Sequence, residues 1–299
     1  MSVMSASSIG AGKAGGYARY LEGKTVAPER GDYYLTPAGE LAEAPGRWLS
    51  EPDALVRLGV DPAGAVAGPA FIALMEGRHP GDGSWLRRAG ADGSRGGGID
   101  VTFSAPKSVS VVWALADPWQ REQLEAAHER AVERSVAYMR ERVAVVRRRY
   151  GAGVVEEPAK DLVAAAYRHT TARGVEGAAA PDPHLHTHVV ITGATREDDR
   201  FVAVASRPIF RAGRELGAFY RSALAKELTR EGYAIEQGTG THGRYFELAG
   251  VPRALCEAFS ARRREILRAA ERFRAKHGRA PERGELRELA ATAAVGLLR

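Results

Sequence analysis

Three histidines recur at i, i+2 and i+4 in Pro183-His184-Leu185-His186-Thr187-His188, and the β-branched run Val189-Val190-Ile191-Thr192 that follows reads as strand. Side chains alternate along a strand, so all three imidazoles share one face. A strand advances about 3.3 Å per residue, which sets His184 and His188 roughly 13 Å apart, too far to share one ion lying about 2 Å from each nitrogen. An ion could therefore take His184 with His186, or His186 with His188. The third ligand expected is His169, at the end of an earlier apolar run. The Gly-, Ala-, Pro- and Asp-rich loop from Gly174 to Pro183 would let the two runs lie as adjacent antiparallel strands. A lone strand histidine is more often a satisfied polar residue than a ligand; two at alternate positions beside a third favour a metal. Three neutral imidazoles with an open coordination position make a Lewis acid that polarises a phosphoryl or carbonyl oxygen.

Other residues fit that chemistry. Asp100 interrupts the apolar strand Ile99-Asp100-Val101-Thr102-Phe103, and a buried carboxylate needs a cation or an imidazole N–H beside it. Tyr17, Tyr20, Tyr33 and Tyr34 lie close together in a chain that is only 7% aromatic. Each could serve packing; as a group they could be platforms for stacked bases or phenolic nucleophiles. A phenol has an ordinary pKa near 10, so a cation is needed close by to favour its phenolate. A water-using metallohydrolase is expected to recruit more carboxylate ligands or a second metal, and neither is obvious. The balance points to a phenol attacking a nucleic-acid phosphate. The resulting phosphotyrosyl bond keeps the energy of the phosphodiester for rejoining. The glycines of Gly10-Ala11-Gly12-Lys13 lack the Gly-Lys-Ser/Thr ending of a phosphate loop, so a short helix carrying Tyr17 and Tyr20 on one side is expected instead.

The elements that must position these groups follow from periodicity. Ser2 to Ser8 is a weak edge strand, and Trp48 to Glu76 a small helical region. Ser104 caps a helix that has Pro106 near its first turn and Lys107 placed to hold a phosphate. Apolar residues from Leu124 to Val146 recur every three or four positions and predict one long helix from Trp119 to Arg149, closed by Arg147-Arg148-Arg149. His128 lies on its apolar stripe and reads as a core histidine. Strands are expected at 154–155, 162–167, 184–192 and 201–204, a second amphipathic helix over Ile209 to Arg230 stopped by Gly232, and a hairpin from 233–236 to 244–248. From Pro252 the chain is helical and highly charged. The expected fold is α+β: a central, mostly antiparallel sheet flanked by helices, with a helical C-terminal appendix. Residues 1–260 form the main domain and 261–299 a helical extension, and the ending suggests a piece of a longer protein.

At 299 residues the chain can bury one large core or two modest ones. It has no stretch of 18 apolar residues and no charged-then-apolar leader, so a soluble, cytoplasmic protein without membrane insertion is expected. Its single cysteine, Cys256, excludes an internal disulfide and a cysteine-based zinc site. A net charge of +6 favours a polyanionic partner.

The motifs resemble a known family. Gly98-Ile99-Asp100-Val101-Thr102-Phe103-Ser104-Ala105-Pro106-Lys107-Ser108-Val109-Ser110 is similar to the signature of conjugative relaxases of the TraI/TrwC (MOB-F) type. So are Arg168-His169-Thr170-Thr171-Ala172-Arg173 and Pro183 to His188. Asp32-Tyr33-Tyr34, Ala127 to Val132, and His242-Gly243 ahead of Gly250-Val251-Pro252 also match, in order, so the resemblance runs from about Met1 to Ser260. It implies an HUH-endonuclease fold with the metal site on the face of its palm sheet. It implies strand-specific nicking of DNA at an origin of transfer beside a hairpin, through a 5′-phosphotyrosyl intermediate, with later strand joining. It implies one divalent ion (Mg, Mn, Zn or Ni) on His169, His186 and His188, with Asp100 beside it and Arg173 contacting phosphate. Tyr17 matches the first nucleophile, although Ala18 stands where the family has an adjacent tyrosine and Tyr20 follows; Tyr33 or Tyr34 matches the second. His184, where the family commonly lacks histidine, is left to contact DNA or to bind adventitious metal. Relaxosome proteins and a coupling protein are implied partners. A rolling-circle replication initiator with the same chemistry, a water-using hydrolase, and a non-catalytic single-strand binding module are the competing readings.

Overall fold

The computed structural model describes residues 4–22, 44–89, 96–151, 153–172, 181–238 and 245–292. Tyr33, Tyr34, Arg173 and His242 lie outside the described residues.

The chain begins with strand β1 (Met4–Ile9) and helix α1 (Ala14–Leu21), then β2 (Arg47–Trp48), α2 (Pro52–Arg57) and α3 (Gly68–Glu76). Next come β3 (Gly98–Ser104), α4 (Lys107–Leu115), α5 (Pro118–Arg142) and the hairpin β4 (Val145–Tyr150) and β5 (Gly153–Pro158). Strands β6 (Asp161–Thr171), β7 (Pro183–Thr195) and β8 (Phe201–Val202) precede α6 (Ser206–Arg211) and α7 (Gly213–Arg230). The hairpin β9 (Ile235–Gln237) and β10 (Phe246–Leu248), then α8 (Arg253–Ala258), α9 (Ala261–His277) and α10 (Arg283–Thr292), complete the described elements.

The central sheet runs in the order β1-β3-β7-β6-β2, with β8 paired to the end of β7, and every pairing is antiparallel. Its two long strands are apolar on both faces because both faces are covered. Ala164, Ala166, Leu185 and Val189 enter a core with Leu124, Val132 and Met139 of α5 and Leu216, Leu224 and Leu228 of α7. Val163, Ala165, Tyr167 and Val190 point the other way, onto Leu21, Leu55, Phe71 and Leu74. Truncating one of these leucines to alanine costs about 2–5 kcal/mol. His169, His186 and His188 are buried on this second face, with His169 beside the end of α1.

Several sequence expectations need correction. The long helix starts at Pro118, capped by the Asp117 carboxylate on the Gln120 N–H at 2.8 Å, but ends at Arg142. Val143 to Val146 keep an apolar spacing, yet the β-branched valines favour strand. Arg147, Arg148 and Arg149 therefore lie on β4, opposite Glu156, Val155 and Val154 of β5. Gly151, at φ 57°, makes the turn between them. Ser104 does not cap α4: it stays in β3 opposite His186, and the Glu247 carboxylate of β10 takes the Ser108 N–H at 3.0 Å. The helix expected over Ile209 to Arg230 is two helices meeting at Ala212, where Gly213 and Gly217 allow α7 to pack against Met4 of β1. Trp48 lies in strand β2 rather than helix. No helix among the described residues is long and apolar enough to cross a membrane.

Candidate active site and metal centre

Antiparallel pairing of β6 with β7 puts His169 directly across from His186, and Tyr167 across from His188. On the other side of β7, Thr102 of β3 pairs with His188 and Asp100 with Val190. Residues directly opposite share a face, so His169, His186, His188, Thr102 and Asp100 rise together from the sheet. Ligand nitrogens of His169, His186 and His188 all lie within 4.8 Å of one another. His184 is outside that group and stacks on His186 with ring centroids 4.5 Å apart. Of the two pairs of neighbours that strand spacing left open, it is His186 with His188 that converges on His169.

Hydrogen bonds set two of the rings. His186 Nδ1 lies 2.8 Å from the His184 carbonyl, and His188 Nδ1 lies 2.8 Å from Asp100 Oδ2. A carbonyl or carboxylate only accepts, so the proton sits on Nδ1 and the lone pair on Nε2. His188 Nε2 is buried and has no partner among the described residues. His169 Nε2 lies 3.0 Å from the Leu21 carbonyl at the end of α1. Burial, and next the neighbouring His188 imidazole, holds His169 down at about 4, and burial among its neighbouring imidazoles keeps His186 well below the ordinary range. Both are neutral near pH 7 with lone pairs to give. Three imidazoles whose ligand nitrogens converge, with the buried Nε2 of His188 among them, fit one divalent cation.

Helix α1 delivers the tyrosines. Ala14, Ala18 and Leu21 form its buried stripe, and the two alanines let the helix approach the sheet closely. Tyr17 and Tyr20, three residues apart, flank that stripe. The Tyr17 hydroxyl donates to Asp100 Oδ2, the same oxygen that accepts from His188. Tyr20 stands edge-on to His169 and His188, with centroids 6.0 and 5.8 Å away, and 5.7 Å from the ring of Tyr17. An open cleft of about 650 Å³ lies over these groups, lined by Lys13, Tyr17, Arg19, Tyr20, Asp100 and His188 among others. A phenol, its carboxylate acceptor and one imidazole of the three-histidine group thus line one solvent-open space with two cationic side chains.

The other expected site residues lie nearby. Asp100 is 5% exposed and partnered, as a carboxylate in an apolar strand must be. Lys107, at the start of α4, donates from Nζ to the Pro183 carbonyl at 2.8 Å, and burial lowers its pKa. Burial, with the Lys107 charge next, holds His184 down at about 3. Sequence reading missed Thr102, whose Oγ1 is 3.4 Å from Asp100 Oδ1 and 3.2 Å from His188 Nδ1. Its position two residues after Asp100 on a strand was the available signal. It also missed Lys13 and Arg19, which flank Tyr17 in sequence.

An antiparallel sheet that gathers three imidazoles on one face beneath a tyrosine-bearing helix is the arrangement of the HUH endonuclease class. The family model described as TrwC relaxase matches residues 14–294. The chain belongs to the TrwC relaxase family. It is 32% identical over 252 residues to the multifunctional conjugation protein TraI of Escherichia coli, an alignment covering 81% of this chain and 13% of that much longer protein. The metal-bound structure of conjugative relaxase TrwC in complex with oriT DNA is similar at a TM-score of 0.76 and 28% identity, covering 97% of this chain and 90% of that one. TrwC complexed with a 27-mer DNA comprising the recognition hairpin and the cleavage site is similar at a TM-score of 0.73 and 27% identity, with the same coverage.

Proposed function

We propose that this protein nicks one DNA strand at an origin of transfer, through attack of Tyr17 on the scissile phosphate, and later rejoins strands in conjugation. The observation that carries the reading is the Asp100 carboxylate, which accepts from the Tyr17 hydroxyl and from His188 Nδ1 through one oxygen. Asp100 takes the phenol proton as the Tyr17 oxygen bonds to phosphorus. The bond from phosphorus to the 3′ oxygen breaks, the 3′ oxygen leaves and is protonated to a hydroxyl, and the 5′ phosphate stays on Tyr17. The reverse attack by a 3′ hydroxyl rejoins the strand. His169, His186 and His188 would hold the divalent ion, which when bound supplies Lewis-acid stabilisation of charge on the phosphate oxygens. Neither geometry nor ligand type selects among Mg, Mn, Zn and Ni.

Tyr20 guards the same cleft as an alternative nucleophile, and Tyr33 or Tyr34 supplies the second tyrosine. Lys107, Arg173 and His184 contact DNA. The substrate is single-stranded DNA beside a hairpin, as in the TrwC complexes, and relaxosome and coupling proteins are the partners in a cytoplasmic setting. We assign this activity to residues 1–260 and treat 261–299 as a helical extension, since among the described residues every member of both apolar cores precedes Ser260, and Ala269 of α9 is buried outside them. Incubation with labelled single strands tiling the transfer origin of the encoding element, plus a divalent metal, should yield a covalent protein–DNA adduct. Full adduct yield in a Tyr17→Phe, Tyr20→Phe double variant would refute tyrosine attack from α1, and release of a free 5′ phosphate would indicate a water-using hydrolase.

A further inference from the structure

Residues that alternate with the histidine ligands point through the sheet to its other face. Thr187, between His186 and His188, is buried there with its Oγ1 2.8 Å from Nε2 of His128 on α5. Nδ1 of His128 lies 2.7 Å from the Tyr220 hydroxyl on α7. Arg168, next to His169, is the residue paired with Thr187 across the β6–β7 ladder. Its guanidinium reaches Glu125 at 2.8 Å and Glu129 at 2.5 Å, also on α5. Glu125, His128 and Glu129 occupy i, i+3 and i+4, one face of the helix. That face therefore grips, from behind, the two residues that neighbour all three ligands.

His128 is 0% exposed, and burial holds its pKa down at about 3, so it is a neutral imidazole with one donor and one acceptor nitrogen. Both are used. Any buried histidine must satisfy both nitrogens, and what distinguishes this one is its partner: Nε2 meets Thr187, the residue between His186 and His188. Thr187 is a pivot: rotation of its backbone swings His186 and His188 together, because they are its immediate neighbours on the opposite face.

We propose that His128 is a positioning residue for the metal centre, fixing the aim of His186 and His188 through its bond to Thr187 while Glu125 and Glu129 fix Arg168 beside His169. This rests on the metal reading of the three histidines. The test is a Co²⁺ titration of the whole protein followed by visible absorption, with the denaturation midpoint recorded for each variant. Thr187→Val removes the hydroxyl and keeps the shape. His128→Asn sets an amide near the place of Nδ1 and keeps only Tyr220, whereas His128→Gln reaches the place of Nε2 and keeps Thr187. Loss of an outer contact of this kind weakens metal by about tenfold or more, so Thr187→Val and His128→Asn should bind Co²⁺ that much more weakly with an altered absorption band, and His128→Gln should recover most of the affinity. Wild-type affinity and spectrum in Thr187→Val would overturn the proposal, and that variant decides alone should the His128 variants not fold. Absence of Co²⁺ binding by the wild-type protein is a distinct result, which would overturn the metal reading and this inference with it.

Discussion

Two phenols on the same face of the sheet show how environment assigns a role. Tyr17 opens on the cleft with its hydroxyl on Asp100, whereas Tyr167 is sealed between the sheet and Phe71, its hydroxyl without a partner among the described residues and its pKa raised by burial. Tyr17→Phe should strongly reduce the covalent adduct in a single-turnover nicking assay. Asp100→Asn removes the proton acceptor and the anchor of His188, and should slow nicking by about 10²-fold or more in the same assay. Tyr167→Phe deletes an unsatisfied buried hydroxyl and should raise stability by roughly 1 kcal/mol in denaturant titration. Asp100 was legible in the sequence because a carboxylate amid Ile99, Val101 and Phe103 demands a partner. An imidazole N–H was legible as one partner, and His188 supplies it; the Tyr17 hydroxyl was not legible as the second, since Tyr17 is 83 residues away and local spacing puts Tyr20 on the same side of the helix.

Strands carry their face assignment in the alternation of side chains, and so β6, β7 and their pairing could be read from residues 162–192, histidines included. The boundary of α5 could not. Val143 and Val146 satisfy a helical period and a strand propensity at once, and only the hairpin with β5, formed by residues not yet reached in the chain, settles it. The contact of Thr187 with His128 was hidden for the same reason, because 59 residues separate them and helix periodicity alone reports a buried stripe. Close packing of elements supplies its own test. A Cβ on Gly46, just before β2, would lie 2.4 Å from the Tyr167 ring. Gly46→Ala should therefore destabilise the fold by about 1–3 kcal/mol, the usual penalty of overpacking, as measured by the denaturation midpoint.

At the scale of the molecule, the buried histidines make stability depend on pH. His128, His169 and His184 titrate at about 3, 4 and 3 in the fold, below the ordinary 6.5, so the unfolded chain binds more protons between those values. Their contribution is complete above pH 6.5 and is lost as pH falls toward 3. Each such group adds a slope of about 1.4 kcal/mol per pH unit, which a series of thermal midpoints from pH 7 to 4 should reveal as a steady decline. The charge of +6 predicts DNA binding that weakens with salt, while chelation of metal should remove the adduct and leave binding. The most direct test of the central claim is peptide mapping of a trapped DNA adduct by mass spectrometry. The account predicts the nucleotide on the peptide containing Tyr17, attached through its phenolic oxygen. A nucleotide carried by any residue outside α1, or a cleaved strand bound to no residue, would contradict it.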